Sequence, residues 1–358
     1  MGRYLLLDIG AGTLDMLCYD SERDRHFKAV VRSPVRVLAD AIRRTRGNLV
    51  VTGGEMGGGP VSQALIERSR SADVVMSTSS AATVHHDLRR VMDHGIRVVD
   101  PASAEELIVD ANYAHIRTGD LQIDRLKSLV EALGVPYDFD AVAVCAQDHG
   151  VAPRGVSHLD FRHRMFTAAL ENAPVPQALL YSSDQVPQSM NRLVTIARDA
   201  EKLPAQRIYV MDSGMAAILG ACQDGLAAGK QRLLVLDIAT SHTVGAAVDG
   251  GRLCGFFEYH TKDVTAPRLD RLLMDLADGR LSHRQILDEG GHGAYTRGAF
   301  GYDKVQIILA TGPRRRLVAA CSLPVALGAP WGDNMMTGAV GLMEAVRQRE
   351  TLPSILYV

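Results

Sequence analysis

The sequence is poor in cysteine, in aromatic residues and in long apolar runs. Its 358 residues include five cysteines, and aromatic residues make up only 5%. The cysteines stand at least 32 positions apart, the nearest pair being Cys222 and Cys254, and no C-x-x-C string occurs. We therefore expect neither a disulfide scaffold nor a local cysteine site for zinc or iron–sulfur, and most of the thiols should be core residues.

An excess of charge of one sign is also missing. The chain has 39 basic and 41 acidic residues, a formal net charge of -2, so nucleic acid and anionic membranes are poor partners. No apolar run reaches the roughly 18 residues of a membrane span. The apolar start of the chain is stopped by Asp8, which favours a buried first strand over a signal peptide. We expect a cytoplasmic protein with no nucleic-acid or membrane partner.

What the sequence does contain is an alternation of short β-branched runs with longer helical stretches, which predicts an α/β protein. At roughly 150 residues per domain the length favours two domains. The polar segment LAAGKQR, from position 226, directly precedes a new apolar strand. We therefore predict an N-terminal domain over residues 1–225 and a C-terminal domain over residues 226–358.

One near-repeat links the two predicted domains. Tyr4–Asp20 reads YLLLDIGAGTLDMLCYD, and Leu233–Asp249 reads LLVLDIATSHTVGAAVD. Each copy is an apolar strand that ends in Asp-Ile, a turn of small and hydroxylated residues, and a second apolar strand. The repeat predicts two domains of similar topology that face one another.

The turns of these hairpins suit phosphate. No P-loop string is present, and the Rossmann pattern fails because Asp15 holds its third glycine position and a strand follows. The Gly10–Thr13 turn leaves backbone amides free to cradle a phosphate oxygen. Asp8 beside it suits Mg²⁺ held through water, and Asp237 repeats this in the second hairpin. For either hairpin alone, an ordinary structural turn is the alternative.

Three further segments extend the pattern in a fixed order. Between the hairpins lies YVMDSGMAAILGACQDG; after them come IILATGPRRRL and WGDNMMTGAVGLMEAV. Together the five segments resemble the actin / Hsp70 / sugar-kinase superfamily of ATPases. The resemblance implies a two-domain actin-like ATPase (ribonuclease H-like) α/β fold with the nucleotide cleft between the domains. It also implies two connecting helices that cross through small residues, the last of them (about 337–349) packing back at the hinge.

The resemblance further implies that the cleft binds ATP with Mg²⁺, and that Asp8 and Asp237 hold the metal and are catalytic. The implied nucleotide contacts come from both hairpins and from the strand that breaks at a glycine: Gly10, Gly12, Thr13, Thr240, Ser241, His242, Thr243, Gly312 and Pro313. The chain departs from the superfamily at Ala239, where glycine is usual, and at His242, where chaperone-type members carry threonine.

Four other strings are similar to one uncharacterised family whose label reads pyruvate formate-lyase activating-enzyme-like. They are TGGEMGGGP, AQDHG, FFEYHT and DEGGHG. A radical activating enzyme needs three clustered cysteines for its cluster, and this sequence lacks them. The cysteine pattern therefore argues against the activity that the label names.

Candidate residues for a second substrate lie in these strings. Gln147 and Asp148 follow an apolar strand, and the string is similar to the Gln-x-His-Gly of pentulose kinases. Asp148 is a candidate general base or water-orienting group and Gln147 a candidate acceptor ligand; a plain polar loop is the alternative. The predicted substrate-binding residues are Glu55, Gly57, Gly58, His149, Glu258, His260 and His292. A tight structural turn stays open for the glycine-rich loop, and metal binding or no chemistry for His292.

Three functions remain. The first is a phosphotransferase acting on a small metabolite, with a small-molecule partner and a homodimer as one possible assembly. The second is an ATP-driven activation or maturation factor for a partner enzyme. The third, a filament-forming cytoskeletal ATPase, ranks lowest because the sequence shows no large extra subdomain. Fold alone does not choose among them.

Overall fold

The computed structural model describes residues 2–357, and its strands are bounded as follows. They are β1 Arg3–Ile9, β2 Thr13–Asp20, β3 Arg25–Arg32, β4 Asn48–Gly53, β5 Val74–Ser77, β6 Arg97–Val99, β7 Tyr113–Thr118, β8 Phe139–Ala146, β9 Leu180–Ser182, β10 Ala205–Asp212, β11 Arg232–Ile238, β12 His242–Asp249, β13 Arg252–His260, β14 Gly293–Thr296, β15 Ile307–Thr311 and β16 Val325–Leu327.

The α-helices alternate with these strands. They are α1 Pro34–Arg44, α2 Pro60–Ser69, α3 Thr78–Ala81, α4 Leu88–Asp93, α5 Pro101–Glu106, α6 Ile123–Ala132, α7 His158–Asn172, α8 Asn191–Ala200, α9 Ser213–Ala221, α10 Ala266–Ala277, α11 His283–Asp288 and α12 Thr337–Arg349.

Two six-stranded sheets repeat one arrangement. The first has the order β3-β2-β1-β8-β10-β9 and the second β14-β13-β12-β11-β15-β16. In both, an antiparallel run, β3-β2-β1 or β13-β12-β11, is followed by a parallel neighbour, β8 or β15. The edges differ, because β14 is antiparallel to β13, β9 is antiparallel to β10, and β16 is parallel to β15. The predicted fold class is confirmed: the chain has the duplicated α/β architecture of the actin-like ATPase fold.

Both predicted hairpins are present, with the same register. Asp8 pairs with Asp15 across the first hairpin, and Asp237 pairs with Val244 across the second. Because side chains alternate along a strand, each of these pairs lies on a single face of its sheet. The two hairpins therefore have one backbone plan and different side chains at the equivalent position.

The third sheet was not expected from the sequence. It has the parallel order β6-β5-β4-β7 and its own core, in which α1 and α2 pack on the strands through residues such as Ile42 and Leu65. The expectation that the chain lacks a large extra subdomain was wrong. The sequence pattern for this sheet is weak because β5 and β6 have only four and three residues.

Helices α9 and α12 cross in direct backbone contact. A Cβ placed on Gly220 would overlap the carbonyl oxygen of Thr337, and one placed on Gly341 would overlap that of Ala216. The prediction that small residues allow these two helices to approach closely is confirmed. Since α9 follows the first sheet and α12 follows the second, the crossing joins the two halves of the molecule.

The largest core cluster runs through this junction, because it contains Leu6 of β1, Ile218 of α9, Val235 of β11 and Val340 of α12. The division at residues 225 and 226 stays a prediction, although every strand of the second sheet lies beyond it. Within residues 2–357, no helix combines the length and apolar character that crossing a bilayer requires.

Candidate functional site

A cavity of about 840 Å³ lies between the two six-stranded sheets, and both hairpin turns open into it. Nearly all the predicted site residues line it: Asp8, Gly10, Gly12, Thr13, Glu55, Gly57, Gly58, Gln147, Asp148, His149, Asp237, Thr240, Ser241, His242, Glu258, His260, His292, Gly312 and Pro313.

Thr243 is the exception and needs correction. It is fully buried, and its hydroxyl lies 3.0 Å from the hydroxyl of Thr261. His242 begins β12 and points into the cavity, so its neighbour Thr243 points to the opposite face of the sheet. The resemblance placed both residues in the nucleotide site, but strand alternation admits only one of them.

The first hairpin brings two carboxylates together, the buried Asp15 and the half-buried Asp8 at the cavity surface. Burial raises the pKa of Asp8 to about 6, and burial followed by the charge of Asp8 raises that of Asp15 to about 8. Asp15 Oδ1 is buried and lacks a hydrogen-bond partner. Carboxylates that repel one another in a buried site leave a demand for positive charge, which a divalent cation meets.

The second hairpin supplies Asp237 from the facing wall. Burial, followed by the charge of Asp8, raises the pKa of Asp237 to about 7, while the Thr311 hydroxyl donates to its Oδ1 at 3.3 Å. The turns themselves nearly touch, because a Cβ on Gly12 would lie 3.1 Å from Thr240 Oγ1. The residues therefore fit a hydrated magnesium ion and phosphate oxygens that both walls share.

Behind the hairpins, a buried ion-pair network crosses from the first sheet to the second. Arg162 of α7 donates to Asp212 at 2.9 Å and to Glu258, which also accepts from the Gln147 side chain. Burial alone would lower the pKa of Arg162, but Glu258 and Asp212 raise it above its ordinary value. Glu258 was predicted as a substrate ligand, and in this structure it is already engaged by Arg162.

Histidines form the wall beside this network. The rings of His242, His260 and His292 lie with centroids 4.3 to 4.8 Å apart, and that of His149 lies 6.0 Å from His292. Burial lowers the pKa of His149 to about 3 and that of His242 to about 4, so both rings are neutral at physiological pH.

The carboxylate of Asp148, the predicted base, is held by two backbone amides. Its Oδ1 accepts from the Gly150 amide at 2.7 Å and its Oδ2 from the Leu193 amide at 2.9 Å. Burial raises its pKa, yet the two amides direct the carboxylate at the backbone. The geometry favours positioning of the loop over proton transfer.

The glycine-rich loop, GGEMGGG at residues 53–59, is held in place by a buried ion pair. Arg192 of α8 donates to both carboxylate oxygens of Asp120, at 2.8 and 2.9 Å, and to the carbonyl of Gln147 at 2.8 Å. Asp120 in turn accepts from the Gly57 amide at 3.3 Å. A Cβ on Gly57 would press on Val35 and Arg192, so this glycine is required for the close approach.

Polar side chains complete the end of the cavity next to this loop. Glu55 accepts from Asn191 at 2.6 Å, and His86 Nε2 lies 3.0 Å from its carboxylate. The hydrogen bond to Glu55 raises the pKa of His86. Asp87 caps α4 through the Arg89 amide, as its position before the helix predicts.

Sequence reasoning missed Arg162, Asp212, Arg192 and Asp15. A single arginine on a helix gives no sign that it is buried, so Arg162 and Arg192 had no usable signal. Asp212 had one, because it ends an apolar strand directly before a helix. Asp15 had one, because it stands seven positions after Asp8 with a short hairpin turn between them. Counting back across that turn pairs the two carboxylates.

The chain is similar to one described family. A family model described as "Putative pyruvate format-lyase activating enzyme (DUF1786)" matches residues 56–317. The match includes the second hairpin, the Arg162 network and the histidines, and it begins after the first hairpin. No curated protein matches the chain.

Solved structures are similar only at a distance. A ROK family glucokinase from Streptomyces griseus, solved with glucose and AMPPNP, has 10% identity and a TM-score of 0.38, covering 97% of this chain and 100% of the other. The activator of the 2-hydroxyisocaproyl-CoA dehydratase from Clostridium difficile, with bound ADPNP, has 10% identity and a TM-score of 0.31, covering 99% of each chain. Neither carries an argument about function here.

Proposed function

The chain belongs to the DUF1786 family, and we propose that it binds magnesium ATP between its two hairpins and transfers a phosphoryl group to a small polar metabolite. One observation carries the proposal. Both hairpin turns and the glycine-rich loop open into a single cavity of about 840 Å³, within the range of about 300–1,000 Å³ that is usual for small-ligand sites.

The residues have distinct tasks in this proposal. The Gly10 and Ala239 amides close the two turns by donating to the Thr13 and His242 carbonyls. The amides inside the turns, at positions 11–12 and 240–241, bind phosphate oxygens, and Asp8, Asp15 and Asp237 hold the ion through water. Bound there, magnesium ATP supplies the transferable phosphoryl group. Positioning and electrostatic stabilisation are the main protein contributions in such reactions.

The acceptor end is the wall formed by Glu55, His86 and the glycine-rich loop. A carboxylate, an imidazole and open backbone amides suit hydroxyl or carboxyl groups of a metabolite. Asp148 and Arg192 fasten the loop after β8 to α8 beside this wall, because Asp148 accepts from the Leu193 amide and Arg192 donates to the Gln147 carbonyl.

Binding of magnesium ATP is the direct test. Calorimetry should show binding by the wild-type protein, and Asp8→Asn should weaken it by about 100-fold or more, the upper end of losses on altering a metal's surroundings. Asp184→Asn, an exposed aspartate outside the cavity, is the control and should bind as the wild type does. Equal binding by wild type and Asp8→Asn contradicts the assignment.

The second candidate is an ATP-driven activation factor for a partner enzyme, which the family description favours. The radical chemistry in that description still lacks support, because the one group of three or more metal-ligating side chains found within residues 2–357 contains histidines only. ADP release that depends on a small acceptor supports the first function; release that depends on a protein partner supports the second. Filaments that form as the protein concentration rises would favour a cytoskeletal ATPase instead.

A further inference from the structure

Three histidines of the cavity wall converge on one point. One ring nitrogen from each of His242, His260 and His292 lies within 4.8 Å of a ring nitrogen of the other two. The Nε2 atoms of His260 and His292 are 3.1 Å apart. None of the tasks proposed for magnesium ATP uses this cluster.

The sheet builds this convergence directly. His242 begins β12 and His260 ends β13, and the two residues are cross-strand partners in the antiparallel register. His292 is joined to the same edge, because its amide donates to the carbonyl of Glu258 at 2.8 Å. Gly291 leaves room for that approach, since a Cβ there would press on Ile286 and Tyr259. Paired backbone therefore brings all three residues to one edge of the sheet.

The remaining nitrogens of two rings face polar groups. His242 Nδ1 lies 2.9 Å from Ser241 Oγ, and His292 Nδ1 lies 3.5 Å from Glu258 Oε1. A metal-binding histidine usually has such a partner on its second nitrogen, which sets the tautomer and orients the ring. Two of the ring nitrogens, His242 Nε2 and His292 Nδ1, are buried and have no hydrogen-bond partner, because the 3.5 Å from His292 to Glu258 is a charge contact without a hydrogen bond. His242 Nε2 is the atom left over for a ligand.

We propose that His242, His260 and His292 bind one divalent metal ion of the zinc class, separate from magnesium. Imidazole nitrogens suit zinc and its neighbours in the first transition row and not magnesium. Zinc–nitrogen bonds of about 2.0–2.1 Å in a tetrahedron put the nitrogens about 3.3 Å apart, near the 3.1 Å between His260 and His292. Small side-chain rotations bring in His242.

Three protein ligands leave a fourth position open. All three histidines line the cavity, so that position faces the space in which a substrate would lie, and water or an anionic substrate oxygen would occupy it. This is the arrangement of catalytic zinc sites, whereas structural zinc sites are closed by four protein ligands. Zn²⁺ binding by the three histidines does not require bound nucleotide.

Metal titration tests the site. We expect protein stripped with a chelator to bind one equivalent of Zn²⁺ by calorimetry, and Co²⁺ to give the intense visible absorption of a tetrahedral centre. His292→Ala and His260→Ala should each weaken Zn²⁺ binding by about 100-fold or more. His94→Ala removes an exposed histidine at the end of α4 and should bind as the wild type does.

The controls separate folding from ligation and this site from the nucleotide site. Circular dichroism and the melting temperature of metal-free protein identify a variant that fails to fold, in which case the other histidine variant decides. Magnesium ATP binding, measured on the same stripped samples, reports the nucleotide site alone. Failure to bind Zn²⁺, or equal binding by wild type and both folded histidine variants, overturns the proposal whatever the nucleotide result.

Discussion

The two hairpins share a backbone and differ in chemistry. In the first, Asp8 lies opposite Asp15; in the second, Asp237 lies opposite Val244. The first turn has glycine at two of its four positions, whereas the second contains a serine and ends at His242. The wall of the first hairpin therefore carries two carboxylates (the carboxylate wall), whereas the wall of the second carries one, Asp237, beside the three clustered histidines (the imidazole wall).

The difference shows what a duplicated fold preserves. Paired strands reproduce the position of each turn, because backbone hydrogen bonds set the register and do not depend on side-chain charge. The side chains at matching positions are free to diverge. Carboxylate oxygens from both walls suit magnesium, while the nitrogen ligands gathered on the second wall suit zinc-class ions.

The largest expected effect comes from forcing apart α9 and α12, the two helices that join the halves of the molecule. Gly220→Ala places a methyl group against the backbone of α12, which has no side chain to move aside. We expect the free energy of unfolding to fall by about 3 kcal/mol, as measured by urea denaturation. Gly298→Ala, where a Cβ meets no atom within 4 Å, is the control. Similar stability of both variants would show that the crossing tolerates a wider spacing.

A pH series tests the carboxylate wall. The pKa of Asp15 is raised from 3.8 to about 8, so between these values this carboxyl keeps a proton in the folded metal-free protein that it has lost in the unfolded chain. The contribution of Asp15 to stability therefore falls as pH rises through this window. Asp15→Asn should be more stable than wild type at pH 8, by about 1–3 kcal/mol, and nearly equal at pH 4. Parallel pH profiles would contradict the buried charge.

The smallest effect concerns the imidazole wall. Ser241→Ala removes the hydroxyl beside His242 Nδ1 but leaves all three ring ligands in place. We expect Zn²⁺ affinity to fall about 10-fold, the lower end for a residue that orients a ligand. Calorimetry compares the Zn²⁺ affinity of Ser241→Ala with that of His260→Ala. An equally large loss of affinity in the two variants would mean that the serine is itself a ligand.

Sequence reasoning was strongest where a motif fixes local backbone. Both hairpins, the strand that breaks at Gly312 and the two helices that cross through Gly220 and Gly341 were predicted in order. It was weakest where distant residues meet. The register of β12 and β13 brings His242 to His260, and neither residue carries a local sign of the other. Burial of Arg162 depends on partners 50 and 96 positions away.

Arg192 has a consequence for attempts to redesign the protein. It joins the end of the inserted parallel sheet, through Asp120, to the loop that carries His149, through the Gln147 carbonyl. A bidentate contact of this kind tolerates little displacement. Exchange of the parallel sheet to change specificity must therefore keep Asp120 or an equivalent partner for Arg192, because this side chain sets the distance between the acceptor wall and the loop of His149.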